Sequence, residues 1–140
     1  MVTFVLDASA IFRYLDAEEG RSRIAEVLKG RLAGKHSAVI SSVQWGEVAY
    51  LLYKRHGARQ AEVTLVDLLV AGIEVIPASA DRAVRAGILK ATRRIPYADC
   101  FAVELAGDSP DHVLMTADFD VKPAENAVRI EFLPAKLKPN

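Results

Sequence analysis

The chain has 140 residues, of which 51% are hydrophobic and 26% charged, and 18 basic and 18 acidic side chains give a formal net charge of zero. This size and composition are typical of one soluble globular domain, which we expect to span residues 1–135 before a flexible tail at 136–140. The charge balance argues against nonspecific coating of nucleic acid. The single cysteine excludes an internal disulfide. The absence of a membrane span or signal peptide predicts a cytoplasmic protein without a membrane partner.

The first half of the chain alternates short apolar runs with helical periodicity. Ser41 and Gln44 form a capping-box pattern at the start of the third helix, and Gly57 is expected to end that helix. Apolar runs predict strands at 3–6, 38–40 and 73–76. The helical patterns lie at about 9–16, 22–32, 42–56 and 59–71.

The second half continues the alternation. Ser79 is a good N-cap for a helix that ends near Arg94, and a nearly all-apolar helix follows at about 97–106. Strands are predicted at 113–116 and 128–132. Strands that alternate with helices imply parallel crossovers, so we predict a three-layer α/β domain with a central, mostly parallel sheet of about five strands.

Four acidic residues stand near the ends of these predicted elements. Asp7 directly follows the first strand, and Asp118 lies just past the fourth. Glu47 lies in the helix after the second strand, and Asp99 lies in the first turn of the helix before the fourth. Because the carboxyl ends of parallel strands line the ligand crevice of such a sheet, the four side chains are expected to meet above one edge.

Each acid also has a structural explanation. Asp7 can cap the first helix, Asp99 can interact with a helix dipole, and Asp118 can be a turn residue. Asp120 can replace Asp118 or act beside it. Glu47 is harder to explain, because its helix offers few other polar groups and a carboxylate there needs a partner.

A cation explains the four acids together. Two carboxylates 4 Å apart repel by about 4 kcal/mol at an effective dielectric constant of about 20. Carboxylate oxygens without clustered His or Cys select Mg²⁺ or Mn²⁺. One or two such ions can hold a scissile phosphate and activate a water for in-line attack.

Four segments of the chain resemble the PIN domain family, and within it the VapC-type ribonuclease toxins of toxin–antitoxin pairs. The resemblance covers almost the whole chain. It implies that Asp7, Glu47, Asp99 and Asp118 are a catalytic quartet that binds Mg²⁺ or Mn²⁺. The segments that carry it are Val5-Leu6-Asp7-Ala8-Ser9-Ala10, Ser41-Ser42-Val43-Gln44-Trp45-Gly46-Glu47-Val48, Ile95-Pro96-Tyr97-Ala98-Asp99-Cys100-Phe101-Ala102 and Leu114-Met115-Thr116-Ala117-Asp118.

The same resemblance assigns supporting roles and partners. Ser9 and Thr116 match hydroxyl positions that support the quartet, and Asp120 is a further supporting candidate. The family implies an RNA substrate cut to leave a 5′-phosphate and a 3′-hydroxyl, a homodimer and a cognate antitoxin protein. The chain would then be the toxin of a type II toxin–antitoxin module.

Basic residues are candidates for contacts with RNA phosphates. Arg13 lies near the quartet in sequence, and the fifth predicted helix is the most basic segment. An ordinary solvated helix face explains that second group equally well. The candidates in that helix are Arg82, Arg85 and Arg93.

The chain departs from the family pattern at one position. Two other functions are also compatible with its sequence. An aromatic residue often follows the fourth acid by three positions, where this chain has Val121; Phe119 is the candidate that compensates. One alternative is an inactive PIN-like module that only binds partners. The other is a receiver-like signalling domain, which needs an acidic pair at strand one, where only Asp7 stands.

Overall fold

An all-parallel sheet of five strands forms the centre of the structure, a computed structural model that describes residues 1–137. The strand order is β3-β2-β1-β4-β5, which confirms the predicted α/β architecture. Residues 138–140 of the predicted tail lie outside the described residues, so its flexibility stays a prediction. The strands are β1 (Thr3–Leu6), β2 (Ser37–Ser41), β3 (Glu74–Ile76), β4 (His112–Thr116) and β5 (Ile130–Phe132).

Five α-helices connect the strands. The break predicted at Gly57 is present, and the element labelled α3 consists of two helical segments that meet at a kink at this residue. Gly57 has φ 80° and ψ 173° inside α3, a conformation that glycine adopts without steric cost. A 3₁₀ helix at Phe119–Ala124 was not predicted, because its six residues show no apolar period. The α-helices are α1 (Ala8–Leu15), α2 (Arg21–Leu32), α3 (Ser42–Val70), α4 (Ala80–Thr92) and α5 (Tyr97–Ala106).

Alternating side chains of β1 divide the core into two layers. Phe4 and Leu6 pack in the cluster that includes buried residues of α1, α2 and α3. Val5 packs on the opposite face, in the cluster with α4 and α5. Both faces of the sheet are covered, which explains why the strands read as continuous apolar runs. None of the helices in the described part of the chain has the length and apolar character that crossing a bilayer requires.

The strand order creates a topological switch point between β1 and β4. The chain leaves β1 towards β2 on one side, whereas β4 pairs with β1 on the other side. Ligand crevices of open α/β sheets form at the carboxyl ends of the strands at such a point. Leu6 is paired with Met115, so Asp7 and Thr116 emerge side by side into that crevice.

Candidate metal centre

Asp7 is both a helix cap and a wall of the crevice. Its side chain is 1% exposed. One carboxylate oxygen, Oδ1, accepts hydrogen bonds from Ala10 N at 2.9 Å and from Ser9 Oγ at 2.6 Å. The other, Oδ2, accepts a hydrogen bond from Thr116 Oγ1 at 2.5 Å. The capping explanation and the site explanation are therefore compatible, because the same carboxylate does both.

The hydroxyl groups of Ser9 and Thr116 connect Asp7 to the chain that follows β4. Ser9 Oγ accepts a hydrogen bond from Ala117 N at 2.9 Å, and Thr116 Oγ1 accepts one from Asp118 N at 2.9 Å. Each hydroxyl thus contacts Asp7 with one bond and the Ala117–Asp118 backbone with another. This network fixes Asp118 relative to Asp7.

Asp118 and Asp120 occupy different environments. Asp118 lines the same cavity as Asp7, whereas Asp120 does not and is exposed. The backbone N–H of Asp120 donates to Asp118 Oδ1 at 2.9 Å. Asp120 therefore contacts Asp118 through its main chain, and its exposed side chain does not line the acid cavity.

Gln44 joins three of the acid-bearing segments. Its side chain is 1% exposed. Ala8 N donates to Gln44 Oε1 at 2.8 Å, and Gln44 Nε2 donates to Ala98 O at 2.8 Å. One bond therefore reaches the residue after Asp7, and the other reaches the residue before Asp99.

The predicted capping box is wrong in its second half. Ser41 does cap α3, since its Oγ accepts from Val43 N at 3.2 Å. Gln44, however, uses both ends of its amide in the long-range bonds to Ala8 and Ala98. A short-range motif could not show this, because both partners lie far away in sequence.

All four predicted acids line one cavity of about 170 Å³. Asp7 comes from the end of β1, Glu47 from α3, Asp99 from the first turn of α5, and Asp118 from the segment after β4. Four segments far apart in the sequence thus present carboxyl groups to one space. Ser9, Phe12, Gln44 and Leu51 contribute further to its walls.

The acids perturb one another in the way that a shared negative cavity requires. Burial, together with hydrogen bonding to Asp118 and the charges of Asp118, Asp7 and Glu47, raises the pKa of Asp99 to about 8. Burial raises the pKa of Asp7 to about 6, although its three hydrogen bonds lower it. Burial and the charge of Asp118 also raise the pKa of Glu47. When these carboxyl groups are ionised together, each negative charge repels the others and disfavours their ionised forms.

The donor set fits a hard divalent cation that keeps part of its hydration shell. Within residues 1–137, no three His, Cys, Asp or Glu side chains form a ready-made metal-binding group. Mg²⁺ is usually bound through one or two carboxylates together with several waters. A cavity of about 170 Å³ has room for an ion and several waters, at about 30 Å³ per water. The carboxyl groups that line the cavity are the candidate oxygen ligands.

Arg82 and Arg85 are not brought to this cavity. Arg82 pairs with Glu104 at 2.9 Å and with Asp108 at 2.6 Å, and Arg85 pairs with Glu104 at 2.9 Å. Glu104 lies more than a turn beyond Asp99 along α5, and Asp108 follows the end of that helix. These guanidinium groups hold α4 against α5, away from the acids.

The other two predicted arginines bond to main-chain carbonyls. Arg93 Nη1 donates to Pro123 O at 3.0 Å. Arg13 is buried, and its Nη1 donates to the carbonyl oxygens of Glu19 and Pro134, each at 2.7 Å. Of the four predicted arginines, Arg13 alone lines a cavity that includes Asp118. The sequence could not distinguish these arginines, because their partners lie on other elements.

Replacing Gln44 by Met is expected to weaken Mn²⁺ binding about tenfold, because loss of groups that position metal ligands typically costs 10–100-fold in affinity. Methionine preserves the volume of the side chain but removes both hydrogen bonds. Titration calorimetry of the folded variant with Mn²⁺ measures this effect. Leu52→Ala, in the core of the same helix, is the control that lowers stability without changing Mn²⁺ affinity. Equal affinity losses in both variants would contradict a specific role for Gln44.

Comparison with known proteins gives one family match and several structural ones. The family model described as PIN domain matches residues 4–126. No curated protein matches the chain in sequence. VapBC2 from Rickettsia felis, bound to a DNA fragment from its promoter, has a TM-score of 0.71 and 19% identity over 95% of this chain and 100% of that one.

Two further solved structures are similar. DNA-bound VapBC from Salmonella typhimurium has a TM-score of 0.67 and 23% identity, covering 94% of this chain and 98% of that chain. VapC20 from Mycobacterium tuberculosis, described as a sarcin-ricin loop cleaving toxin, has a TM-score of 0.62 and 21% identity over 94% and 99% of the two chains. At such low identities, these likenesses establish the fold.

Proposed function

The chain belongs to the PIN domain family, and from that premise we propose that it is a Mg²⁺- or Mn²⁺-dependent endoribonuclease, the toxin of a type II toxin–antitoxin module. Family membership excludes the receiver-like alternative. The observation that best supports the proposal is that Asp7, Glu47, Asp99 and Asp118, from four separate segments, line one cavity. An inactive partner-binding module would not need to keep four mutually repelling carboxyl groups there.

The residues of the cavity have distinct tasks in this proposal. One or two divalent ions, when bound, supply a water activated for attack and stabilise the leaving oxygen. Asp7, Glu47, Asp99 and Asp118 would hold the ions. Ser9 and Thr116 keep the Asp7 carboxylate oriented through their hydrogen bonds. A bound cation would favour the charged form of Asp99, whose pKa is raised in its absence.

Catalysis then needs no covalent nucleophile from the protein. Ser9 Oγ donates to Asp7 and accepts from Ala117 N, so it is engaged as a positioning group. Water would attack the phosphorus of the scissile phosphate, and the bond between phosphorus and the 3′-oxygen would break. This reaction leaves a 5′-phosphate and a 3′-hydroxyl.

The similar solved structures support an inference about protein partners. The similar structures from Rickettsia felis and Salmonella typhimurium are VapBC complexes with DNA, and one from Klebsiella pneumoniae is a toxin–antitoxin complex. We infer that this chain likewise binds a small antitoxin protein that covers the acid cavity, and that it forms a homodimer. We place it in the cytoplasm, where RNA and antitoxin are both present.

Incubating the purified protein with total cellular RNA tests the function. Cleavage is expected with Mg²⁺ or Mn²⁺ and not with EDTA, and Asp118→Asn is expected to abolish it. Asp120→Asn is the matched control, since its carboxyl group lies outside the cavity and two residues away. Metal-independent cleavage, or equal loss in both variants, would contradict the assignment. Absence of any cleavage would favour the inactive, partner-binding module.

A further inference from the structure

A second cavity, of about 320 Å³, adjoins the acid cavity. The two share Ser9, Phe12 and Asp118 in their walls. Beyond this shared boundary, no other member of the acid quartet lines the second cavity, whose remaining walls are Arg13, Glu18, Ala117, Phe119 and Lys136. We call it the flanking cavity. A polymer whose reacting group sits among the acids can therefore extend directly into it.

Phe119 gives the flanking cavity an aromatic wall. It directly follows Asp118 and is 49% exposed. Its ring stacks on that of Phe132, with centroids 5.3 Å apart and planes 8° from parallel. Val121, at the position where related domains often have an aromatic residue, is itself fully buried, so Phe119 does not fill that place in the core. A ring held flat on a second ring and half exposed is a platform on which a nucleobase can stack.

Two cations lie at the same cavity. Arg13 is fixed by the carbonyls of Glu19 and Pro134, which are neutral acceptors and leave its charge in place. Lys136 Nζ lies 2.7 Å from Glu18 Oε2, and its side chain is 57% exposed. Glu18, which also lines this cavity, offsets part of this positive charge.

We propose that the flanking cavity binds the nucleotide next to the scissile phosphate of single-stranded RNA, with its base stacked on Phe119 and its phosphate near Arg13 and Lys136. The inference rests on the proposed nuclease function, which places the scissile phosphate at the acids. A base can reach the ring only when it is not already stacked in a duplex, so the substrate is an unpaired loop, bulge or end.

Binding of fluorescein-labelled oligouridylate and oligoadenylate tests the proposal. Fluorescence anisotropy is measured with Mg²⁺ in the Asp99→Asn background, where the probe is not consumed. Phe119→Leu is expected to raise Kd about tenfold, as loss of a stacked base typically does, while Phe119→Tyr retains the affinity. Lys136→Ala is expected to lower the salt dependence of log Kd by about 0.7, the contribution of one phosphate. Tyr53→Leu, an exposed aromatic on α3, is the control that leaves Kd unchanged.

A second variant tests the site by fluorescence, so that the result does not depend on whether Phe119→Leu folds. The chain has a single Trp, so Phe119→Trp adds one emitter, whose fluorescence a stacked base should quench. Absence of quenching, an unchanged Kd for Phe119→Leu, or no binding of either probe by the parent would each overturn the flanking site. A Phe119 variant that loses antitoxin binding but keeps its affinity for RNA would also overturn the proposal, because the flanking cavity would then bind a peptide.

Failure of this inference and failure of the nuclease proposal give different results. Metal-dependent cleavage with a normal KM in Phe119→Leu would retain the nuclease and remove the subsite. Stacking-dependent RNA binding without cleavage would retain the subsite and remove the catalytic assignment. In an active enzyme, the expected signature is a KM raised about tenfold with kcat nearly unchanged, because the contact is made equally in the ground and transition states.

Discussion

Replacing Asp99 by Asn is expected to slow RNA cleavage about 10³-fold and to stabilise the metal-free protein. Removing a metal ligand forfeits several kcal/mol of transition-state stabilisation, and about 4 kcal/mol corresponds to that factor. The stability gain follows from the raised pKa of Asp99, about 8, which shows that its charge is disfavoured by burial and by Asp118, Asp7 and Glu47. Single-turnover cleavage and thermal denaturation in EDTA measure the two effects.

Asp81→Asn is the matched control for this variant. Asp81 and Asp99 are both acids in the first turn of a helix, but Asp81 is exposed on α4. Its replacement should lower stability slightly, by about 0.3–1 kcal/mol, because a favourable interaction with the helix dipole is lost, and should leave cleavage unchanged. If Asp99→Asn behaved in the same way, Asp99 would be a dipole-stabilising residue and not a ligand.

Asp7→Asn should stabilise the metal-free protein less than Asp99→Asn does. Asp7 accepts hydrogen bonds from Ser9, Ala10 and Thr116. These bonds favour its charged form and offset part of the cost of burial, so its pKa rises only to about 6. Asn can keep only part of this set of bonds. Asp99 is therefore the better position at which to detect relief of electrostatic repulsion.

Metal-free protein is expected to lose stability as the pH rises from about 4 to 8, with Mn²⁺ opposing the loss. The pKa of Asp7 rises from 3.8 to about 6 on folding, and that of Asp99 from 3.8 to about 8. Below pH 3.8 both carboxyls are protonated in either state, so the native state loses nothing. As the pH rises towards 6 and then 8, the unfolded chain releases protons that the native state still holds, and folding becomes less favourable.

One unit of pKa corresponds to about 1.4 kcal/mol, so pKa shifts in this direction have a measurable effect on the free energy of unfolding. Asp108 does not mask it, because its pKa is lowered by Arg82 and its contribution is lost only below its ordinary value of 3.8. Mn²⁺ at about 100 times its dissociation constant should add roughly 2.7 kcal/mol. The addition should be larger at high pH, where the ligands are deprotonated.

Urea denaturation at several pH values, with EDTA or with Mn²⁺, measures this dependence. Asp99→Asn should flatten the metal-free profile and reduce the response to Mn²⁺. A metal-free stability that stays constant or increases between about pH 4 and 8 would mean that the acids do not interact as the cavity requires. In that case the carboxyl groups would be solvated individually.

Local sequence patterns predicted some features of the candidate site and missed others. The positions of Asp7 and Asp118 after strands were sufficient to expect them at one sheet edge, because parallel strands present their carboxyl ends together. Gln44 was assigned to a helix cap, because the motif Ser41–Gln44 is a local signal and its bonds to Ala8 and Ala98 are not. Local rules are reliable where the nearest partner in sequence is also the nearest partner in space.

The arginines illustrate the opposite case. Arg82 and Arg85 belong to the most basic helix, which made them candidates for RNA contacts beside the explanation of a solvated face. Their partners Glu104 and Asp108 lie on the next helix and just beyond it. Arg13 was a candidate only through its nearness to Asp7 in the sequence, and Phe119 only as the aromatic residue that compensates for Val121. Folding places both in the walls of a cavity that also contains Asp118.

The sequence by itself determined the alternation of strands and helices, the parallel sheet and the identity of the four acids, since apolar periodicity and residue chemistry are properties of short segments. Only the tertiary structure decided that the acids share one cavity, that Asp118 and not Asp120 faces it, and that Gln44 connects its walls. Those facts depend on strand order and on contacts between residues far apart in the chain, and no local pattern encodes them.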